Sequence, residues 1–277
     1  MEQQSDMYRR GMIFFHRGNL DGARRCFESA LSEARQGKGA DPLTAVLVQL
    51  ANVYAALGER DRAGALYREV LSLQKEESGK EEGEADHQAV GLTLVNLGNL
   101  SREKGEAERA RAYYLEGADR LRQAADDRSL GILYSNFGLL EEEAGRSGEA
   151  VAFFNRAIEL HKKTGHEEGL AATWGQLGRS FLKTGKEKEA EICFNHAATH
   201  FSRLGDPAGE AEALRALSQL YEKRGDPQLA LQSLAGALER ARRIGWSVPE
   251  EDRTRMERLR RLLSERRKGP AAPEEAG

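Results

Sequence analysis

Residues 174–197 read WGQLGRSFLKTGKEKEAEICFNHA, and the spacing of apolar residues in this stretch decides the fold. Trp174, Leu177 and Phe181 recur at intervals of three and four residues, which places them on one face of an amphipathic helix. Phe194 lies on the corresponding face of a second helix. The stretch therefore predicts two amphipathic helices that pack against each other.

Two glycines in this stretch have separate roles. The absence of a side chain at Gly178 lets the two helices approach closely, and the ring of Phe194 fills the space between them. Gly185 ends the first helix, where a left-handed backbone is needed and a side chain would clash. Because one helix pair cannot bury its apolar face alone, we expect further pairs to stack against it.

The same pattern occurs six times along the chain. Each copy has a glycine, an alanine five residues later, an aromatic residue or Leu four residues after that, and a small residue three further on. Successive copies are separated by 40, 47, 40, 40 and 40 residues, and this period is typical of solenoids. The copies are Gly18-Ala23-Phe27-Ala30, Gly58-Ala63-Tyr67-Val70, Gly105-Ala110-Tyr114-Gly117, Gly145-Ala150-Phe154-Ala157, Gly185-Ala190-Phe194-Ala197 and Gly225-Ala230-Leu234-Ala237.

With Trp174–Ala197 as its best copy, the sequence resembles the tetratricopeptide repeat family, whose signature is W-x2-L-G-x2-Y…A-x3-F…A. The resemblance covers about residues 4–245, although the family's terminal proline is absent. The period exceeds the usual length of about 34 residues and is similar to the longer-helix subgroup that includes kinesin light chain and Pins. The resemblance implies an all-α solenoid, a right-handed superhelix of about six helix pairs plus a C-terminal capping helix.

The domain organisation follows from this repeat. We expect one solenoid over residues 1–246, a capping helix over 247–268 that Pro249 can begin, and a disordered tail over 269–277. The acidic segment 75–87 lacks an apolar period and is interpreted as a mobile loop or a frayed helix extension, with an acidic interaction tail as the alternative. The expected repeats are 4–37, 44–77, 91–124, 131–164, 171–204 and 211–244.

The bulk properties exclude several classes of protein. The chain has 277 residues, 39% of them hydrophobic, and a net charge of −3. It has no apolar run long enough to cross a membrane and no secretory signal at the start, so we expect a cytoplasmic protein with no membrane or nucleic-acid partner. The two cysteines, Cys26 and Cys193, are expected to be unpaired thiols packed inside the repeats.

Catalytic chemistry is not indicated. We find no phosphate-binding loop, no HExxH motif and no nucleophile with its base, so the prediction includes no catalytic residue, no metal and no cofactor. His196 and His200 have a spacing that can bind metal but lack a third ligand. They are interpreted as surface histidines, as are His161 and His166. The arginine-rich last helix is interpreted as a solvated capping face.

Polar residues on the first helix of each pair are the candidate site, because the resemblance implies that these helices line a concave groove. Amides can pair with a peptide backbone in either direction, and cations can select an acidic ligand. The alternative, that some amides only bridge neighbouring helices, stays open. The chaperone-binding clamp of the family does not transfer, since Val48 and Val95 replace its lysine. The candidates are Gln49, Asn52, Asn96, Asn99, Arg102, Asn136, Gln176, Arg179, Lys183, Arg215 and Gln219.

The predicted function is a non-enzymatic adaptor or scaffold that binds a protein or an extended peptide in this groove. The alternative is a peptide-sensing regulator, which we expect to act through a partner because no output domain fits beside the repeats. An enzyme is the remaining alternative, and it would need an enclosed polar pocket with convergent titratable groups. The closely spaced Met12, Phe14 and Phe15 of the first repeat are a candidate surface for self-association.

Overall fold

A computed structural model describes residues 6–37, 42–78 and 84–268, and within these ranges it contains thirteen α-helices and no strand. The predicted all-α fold of six helix pairs followed by one helix is confirmed. The helices are α1 (Asp6–His16), α2 (Leu20–Arg35), α3 (Leu43–Ala56), α4 (Arg60–Ser78), α5 (Glu84–Glu103), α6 (Ala107–Gln123), α7 (Asp127–Glu143), α8 (Ser147–Thr164), α9 (Glu167–Lys183), α10 (Glu187–Leu204), α11 (Pro207–Lys223), α12 (Pro227–Arg243) and α13 (Glu250–Lys268).

The chain forms two compact units, Met1–Leu140 and Glu141–Gly277, with the boundary inside α7. In the first unit, the core contains the fully buried rings of Phe27, Tyr114 and Phe137. In the second unit, α9 packs against α8, α10 and α11, and α13 packs against α12. The core there is built from residues of α10 to α13, namely Ala190, Phe194, Leu217, Leu220, Tyr221, Ala230, Leu234, Leu238 and Leu259.

The predicted contact between Gly178 and Phe194 is confirmed. A Cβ atom added at Gly178 would lie 2.7 Å from Cε1 of Phe194, which is closer than real contacts allow. Phe194 itself is 1% exposed. Gly11 meets Phe27 in the same way in the first repeat, where the added Cβ would lie 2.8 Å from the ring. Each glycine therefore gives an aromatic ring of the second helix direct access to the backbone of the first.

The turns between helices show why the chain is rich in glycine. The six glycines predicted to end the first helices all adopt positive φ angles: Gly18, Gly58, Gly105, Gly145, Gly185 and Gly225. Gly165, Gly205 and Gly245 do the same at the ends of second helices. At the equivalent position after α6 the chain carries Ala125, the one non-glycine residue with positive φ in the described ranges, at 52°.

Replacing Ala125 with glycine is expected to stabilise the protein by about 1 kcal/mol, because the left-handed conformation is strained for a residue with a Cβ atom. Urea unfolding followed by circular dichroism measures the change. The control is Ala124→Gly, since Ala124 has a right-handed φ of −76° and gains nothing from the substitution. A lower unfolding free energy for Ala125→Gly than for the wild type would contradict the prediction.

The acidic segment 75–87 is helical on both of its sides. Helix α4 continues to Ser78, α5 begins at Glu84, and residues 79–83 lie outside the described residues. Of the two interpretations, a helix extension is therefore the one seen in 75–78 and 84–87. Lys75 shows how the extension is held, since its Nζ lies 3.1 Å from Glu116 Oε1 on α6. The predicted disordered tail, 269–277, also lies outside the described residues.

The expectation that both His161 and His166 are surface residues is wrong. His161 is only 1% exposed, and its Nδ1 lies 3.2 Å from Nδ1 of the half-buried His166. The physical reason is Gly169, where an added Cβ would lie 2.6 Å from Cε1 of His161. The first turn of α9 thus leaves space for an imidazole that apolar periodicity does not reveal.

The capping helix α13 is less solvated than expected. Leu259 is 1% exposed, and the side chain of Arg255 is 12% exposed where it pairs with Glu222 of α11. The interpretation of the arginines as a solvated face is therefore wrong for Arg255, because it pairs with Glu222 on α11, whose side chain is only 17% exposed. Among the described helices, none combines the length and the apolar character needed to cross a lipid bilayer.

The two cysteines are buried free thiols, as predicted. Burial, with a smaller contribution from the charge of Glu189, raises the pKa of Cys193 to about 12. The thiolate is the nucleophilic form of cysteine, and burial disfavours that form at Cys193, in agreement with a packing role.

Candidate functional site

Two of the predicted amides form the same hydrogen bond within their own repeat. The hydroxyl of Tyr114 on α6 donates to Oδ1 of Asn99 on α5 at 2.7 Å, and the hydroxyl of Tyr67 on α4 donates to Oδ1 of Asn52 on α3. In both repeats, the tyrosine follows the asparagine by 15 residues. The oxygen atoms of these two amides therefore hold the helix pair together, whereas their N–H groups are not used in this bond.

A sequence signal for this bond exists and was missed. The two positions lie 15 residues apart, the asparagine position on the first helix and the tyrosine position on the second. The two repeats that have Asn on the first helix have Tyr on the second, and the other four repeats have neither residue at these positions. A hydroxyl is useful only where an acceptor faces it, which explains why the two occur together. The other four pairs are Met12 with Phe27, Leu139 with Phe154, Arg179 with Phe194 and Gln219 with Leu234.

Asn96 on α5 and Asn136 on α7 are the predicted amides of the first unit that keep their full hydrogen-bonding capacity. Both are half-buried, and neither side chain forms a hydrogen bond with another residue of the described ranges. Four residues before each amide lies an exposed aliphatic residue on the same helix face, Leu92 at 42% and Ile132 at 39% exposure. We name these four residues, Leu92, Asn96, Ile132 and Asn136, the amide face; on each of the two helices it offers one polar and one apolar group on the same side of the helix.

The remaining candidates of the first unit lie beside these. Gln49 is half-buried on α3, and its Oε1 lies 3.5 Å from Nδ2 of Asn52. Arg102 is half-buried near the end of α5. The exposed aliphatic residues were missed by sequence reasoning, because an apolar residue on a repeat helix is usually assigned to the core.

Two of the predicted cations of the second unit are already paired with carboxylates. Nζ of Lys183 lies 2.7 Å from Oε1 of Glu142, and Nε of Arg215 lies 2.9 Å from Oδ2 of Asp252 on α13. Asp252 is only 7% exposed, so Arg215 is held by the capping helix. Gln219 is exposed on α11, where it lies beside Arg255 of α13.

Gln176 and Arg179 line a cavity of about 110 Å³ between α9, α10 and α11. The exposed Arg179 and Glu212 lie at its margin, and neither forms an ion pair with another residue in the described ranges. Oε1 of Gln176 is buried and has no hydrogen-bond partner. The apolar residues that line the cavity are Ala172, Gly175, Phe194, Ala197, Phe201, Gly209, Ala213 and Ala216.

The histidines of α10 are used separately and do not form a metal site. The ring of His196 stacks on Trp174 with centroids 4.6 Å apart, and Nδ1 of His200 lies 2.7 Å from Oε2 of Glu167. Burial, together with the charges of His200 and Lys162, lowers the pKa of His196. In the part of the chain that the structure describes, no group of three His, Cys, Asp or Glu residues is placed to hold a metal ion.

The repeats match a known family along most of their length. The model of the tetratricopeptide repeat matches residues 3–76, 89–163 and 169–243. The chain belongs to the tetratricopeptide repeat family. Its repeats are a protein-interaction scaffold fold, with each match covering two helix pairs. No curated protein sequence matches the chain.

Solved structures with this fold include proteins from several sources. BtubC from P. vanneervenii has a TM-score of 0.70 at 18% identity, over 83% of this chain and 94% of that one. The putative kinesin light chain of Podosopora anserina has a TM-score of 0.58 at 16% identity, over 78% of this chain and 99% of that one. A Rap protein complexed with Competence and Sporulation Factor has a TM-score of 0.65 at 16% identity, over 95% of this chain and 74% of that one. At these identities the likeness shows the fold alone.

Proposed function

We propose that this tetratricopeptide repeat protein is a non-enzymatic cytoplasmic adaptor that binds an extended peptide or protein segment on its first helices. The observation that carries the proposal is the amide face of the first unit. Asn96 and Asn136 have no hydrogen-bond partner in the described chain, and Leu92 and Ile132 beside them are exposed. In the free protein these two amides therefore leave their hydrogen-bonding groups unused by the chain, and the two aliphatic residues leave apolar surface in water.

The chemistry of an extended peptide matches this face. A peptide backbone presents one donor and one acceptor per residue, and each asparagine side chain supplies both complements. Successive side chains of an extended chain point to opposite sides, so an apolar side chain of the ligand can rest on Leu92 or Ile132. Binding through the backbone requires little of the ligand's sequence, which suits an adaptor.

The other candidates take smaller roles in this proposal. Asn52 and Asn99 contribute only their N–H groups, because their oxygens accept hydrogen bonds from tyrosines. Arg179 is the cation that is ready to meet an acidic or carbonyl group. Lys183 and Arg215 would first have to leave Glu142 and Asp252. Gln49, Gln176, Gln219 and Arg102 complete the proposed set.

A second candidate is a regulator that senses a peptide and acts on a partner. It is favoured by the likeness to the Rap protein that was solved with Competence and Sporulation Factor. Both candidates share the binding step and differ afterwards. An adaptor holds its ligand without changing a partner's activity, whereas a regulator releases or inhibits a partner when the peptide binds.

The binding step is tested with the double variant Asn96→Ala/Asn136→Ala. A random peptide library is selected against the full chain, and the affinity of a labelled selected peptide is measured by fluorescence anisotropy. We expect the double variant to bind at least about tenfold more weakly, since it loses hydrogen bonds that desolvated amides make to the peptide. Because neither amide is bonded in the free protein, its thermal stability should stay near that of the wild type.

The matched control is Asn155→Ala, which removes an exposed amide from the second helix of a pair. Its peptide affinity should equal that of the wild type. Equal affinity of the double variant and the wild type would contradict the proposed function, and so would a library from which no peptide is enriched.

A further inference from the structure

We propose that the cavity between α9, α10 and α11 is an anchor pocket for one aliphatic side chain of the bound peptide. The inference rests on the proposed function and specifies its ligand. The cavity measures about 110 Å³, well above the roughly 10–15 Å³ that a single water molecule requires. Its lining includes the apolar residues Phe194, Ala197 and Ala213, which suit an apolar group.

Gly175 keeps the pocket open. A Cβ atom added there would lie 3.8 Å from Nη1 of Arg179 and 3.9 Å from Cβ of Ala197, both ordinary contacts. An alanine would therefore fit, and glycine inside a helix lowers stability relative to alanine. Unlike Gly178, which a packed ring requires, Gly175 has no packing reason to be glycine. Glycine at position 175 therefore lowers the stability of α9 and, in return, leaves the cavity unfilled.

Gln176 provides the polar contact of the pocket. Its Oε1 is buried without a hydrogen-bond partner, and such a group is unfavourable in the free protein. A backbone N–H of an extended peptide is a donor of the right kind, and the half-buried Gln176 side chain would turn its amide toward the cavity to accept from it. Arg179, which lines the same pocket and has no ion pair, can donate to the neighbouring peptide carbonyl.

These features together select the occupant. The pocket has apolar lining residues, an unsatisfied acceptor at Gln176 and a donor without an ion pair at Arg179, which complement a side chain, an N–H and a C=O of one peptide residue. A charged group placed against Phe194, Ala197 and Ala213 would lose its hydration without gaining a partner there. The ligand residue is therefore Leu, Met or a similar aliphatic residue within an extended segment.

The variant Gly175→Leu tests the pocket by filling it from the helix backbone. With the library-selected peptide as probe, we expect at least a tenfold loss of affinity by fluorescence anisotropy. Changing the anchoring aliphatic residue of the peptide to alanine should weaken binding to the wild type by a similar factor. The same peptide change should have no further effect on Gly175→Leu, because the pocket is already filled.

The control is Gly148→Leu, where the glycine is exposed on α8 and an added Cβ would meet no atom within 4 Å. Its affinity should match that of the wild type. Unchanged peptide affinity of Gly175→Leu would overturn the pocket. If sedimentation experiments also showed altered self-association of this variant, the cavity would belong to a contact between copies of the chain and not to a peptide site. Circular dichroism of each variant shows that the helices are retained.

A second variant, Gln176→Met, separates a binding role from a structural one. It replaces the unsatisfied amide with an apolar group of similar size, so the free protein should melt at a higher temperature. Peptide affinity should nevertheless fall several-fold, because the acceptor is lost. A lower melting temperature with unchanged affinity would show a structural role and overturn the inference.

The results for the two units distinguish the two proposals. If Asn96→Ala/Asn136→Ala weakens peptide binding and Gly175→Leu does not, the adaptor stands and the pocket is wrong. If neither weakens it, both are wrong.

Discussion

Replacing Phe194 with alanine is expected to lower the free energy of unfolding by about 3–5 kcal/mol, the range for large aromatic residues cut back in a packed core. Phe194 is 1% exposed and lies against the backbone of α9 at Gly178. The substitution removes apolar burial and leaves a void, because the neighbouring side chains relax only partly. Repeats depend on their direct neighbours, so the loss also weakens the contact of α10 with α11.

The measurement is urea unfolding, followed by circular dichroism and by tryptophan fluorescence, to which Trp174 contributes from its place against His196 of α10. The control is Ile192→Ala on the same helix, where the side chain is 56% exposed and its removal should cost little. A loss for Phe194→Ala no larger than that of Ile192→Ala would show that the ring does not support the helix pair.

Much of the fold could be predicted because its determinants repeat. Gly178 and Phe194 have counterparts in Gly11 and Phe27, and each pair follows from backbone approach and ring burial alone. The positive φ angles at Gly18 and the equivalent glycines follow from the need to turn the chain at fixed intervals. Repetition gives several independent observations of one rule, so a single exception does not mislead.

The contacts that escaped prediction do not repeat. His161 is buried because Gly169, on the next helix, leaves room for its ring. Arg215 is held by Asp252, a residue of the capping helix that belongs to no repeat. Polar contacts between different elements have no period, and charged residues at the surface carry no hydrophobic signal, so sequence spacing does not reveal them.

The sequence predicted which residue types make up the candidate site, but it did not predict which of their polar atoms are already hydrogen-bonded within the chain. The sequence places Asn96 and Asn99 on one helix face. The sequence of that helix alone does not reveal that the hydroxyl of Tyr114, on the next helix, donates to the side-chain oxygen of Asn99. The spacing of 15 residues in two repeats carried that information, and comparison between helices was needed to read it. The cavity beside Gln176 depends on the absence of side chains, which periodicity cannot detect.

Replacing Gly178 with alanine is expected to destabilise the protein by about 2 kcal/mol, within the range for overpacked cores. The new Cβ atom would lie 2.7 Å from Cε1 of Phe194, so either the ring or α10 has to move. Alanine favours the helix by up to about 1 kcal/mol over glycine, and the steric cost outweighs this gain because Phe194 is enclosed on all sides.

Gly175→Ala on the same helix is the matched control for this prediction. The residue type, the helix and the substitution are identical, and only the surroundings differ, since the added Cβ at position 175 has its nearest contact at 3.8 Å. Gly175→Ala should therefore stabilise the protein by up to about 1 kcal/mol through helix propensity alone. Urea unfolding of both variants measures the difference. Equal shifts for the two variants would mean that close approach to Phe194 is not the reason for glycine at position 178.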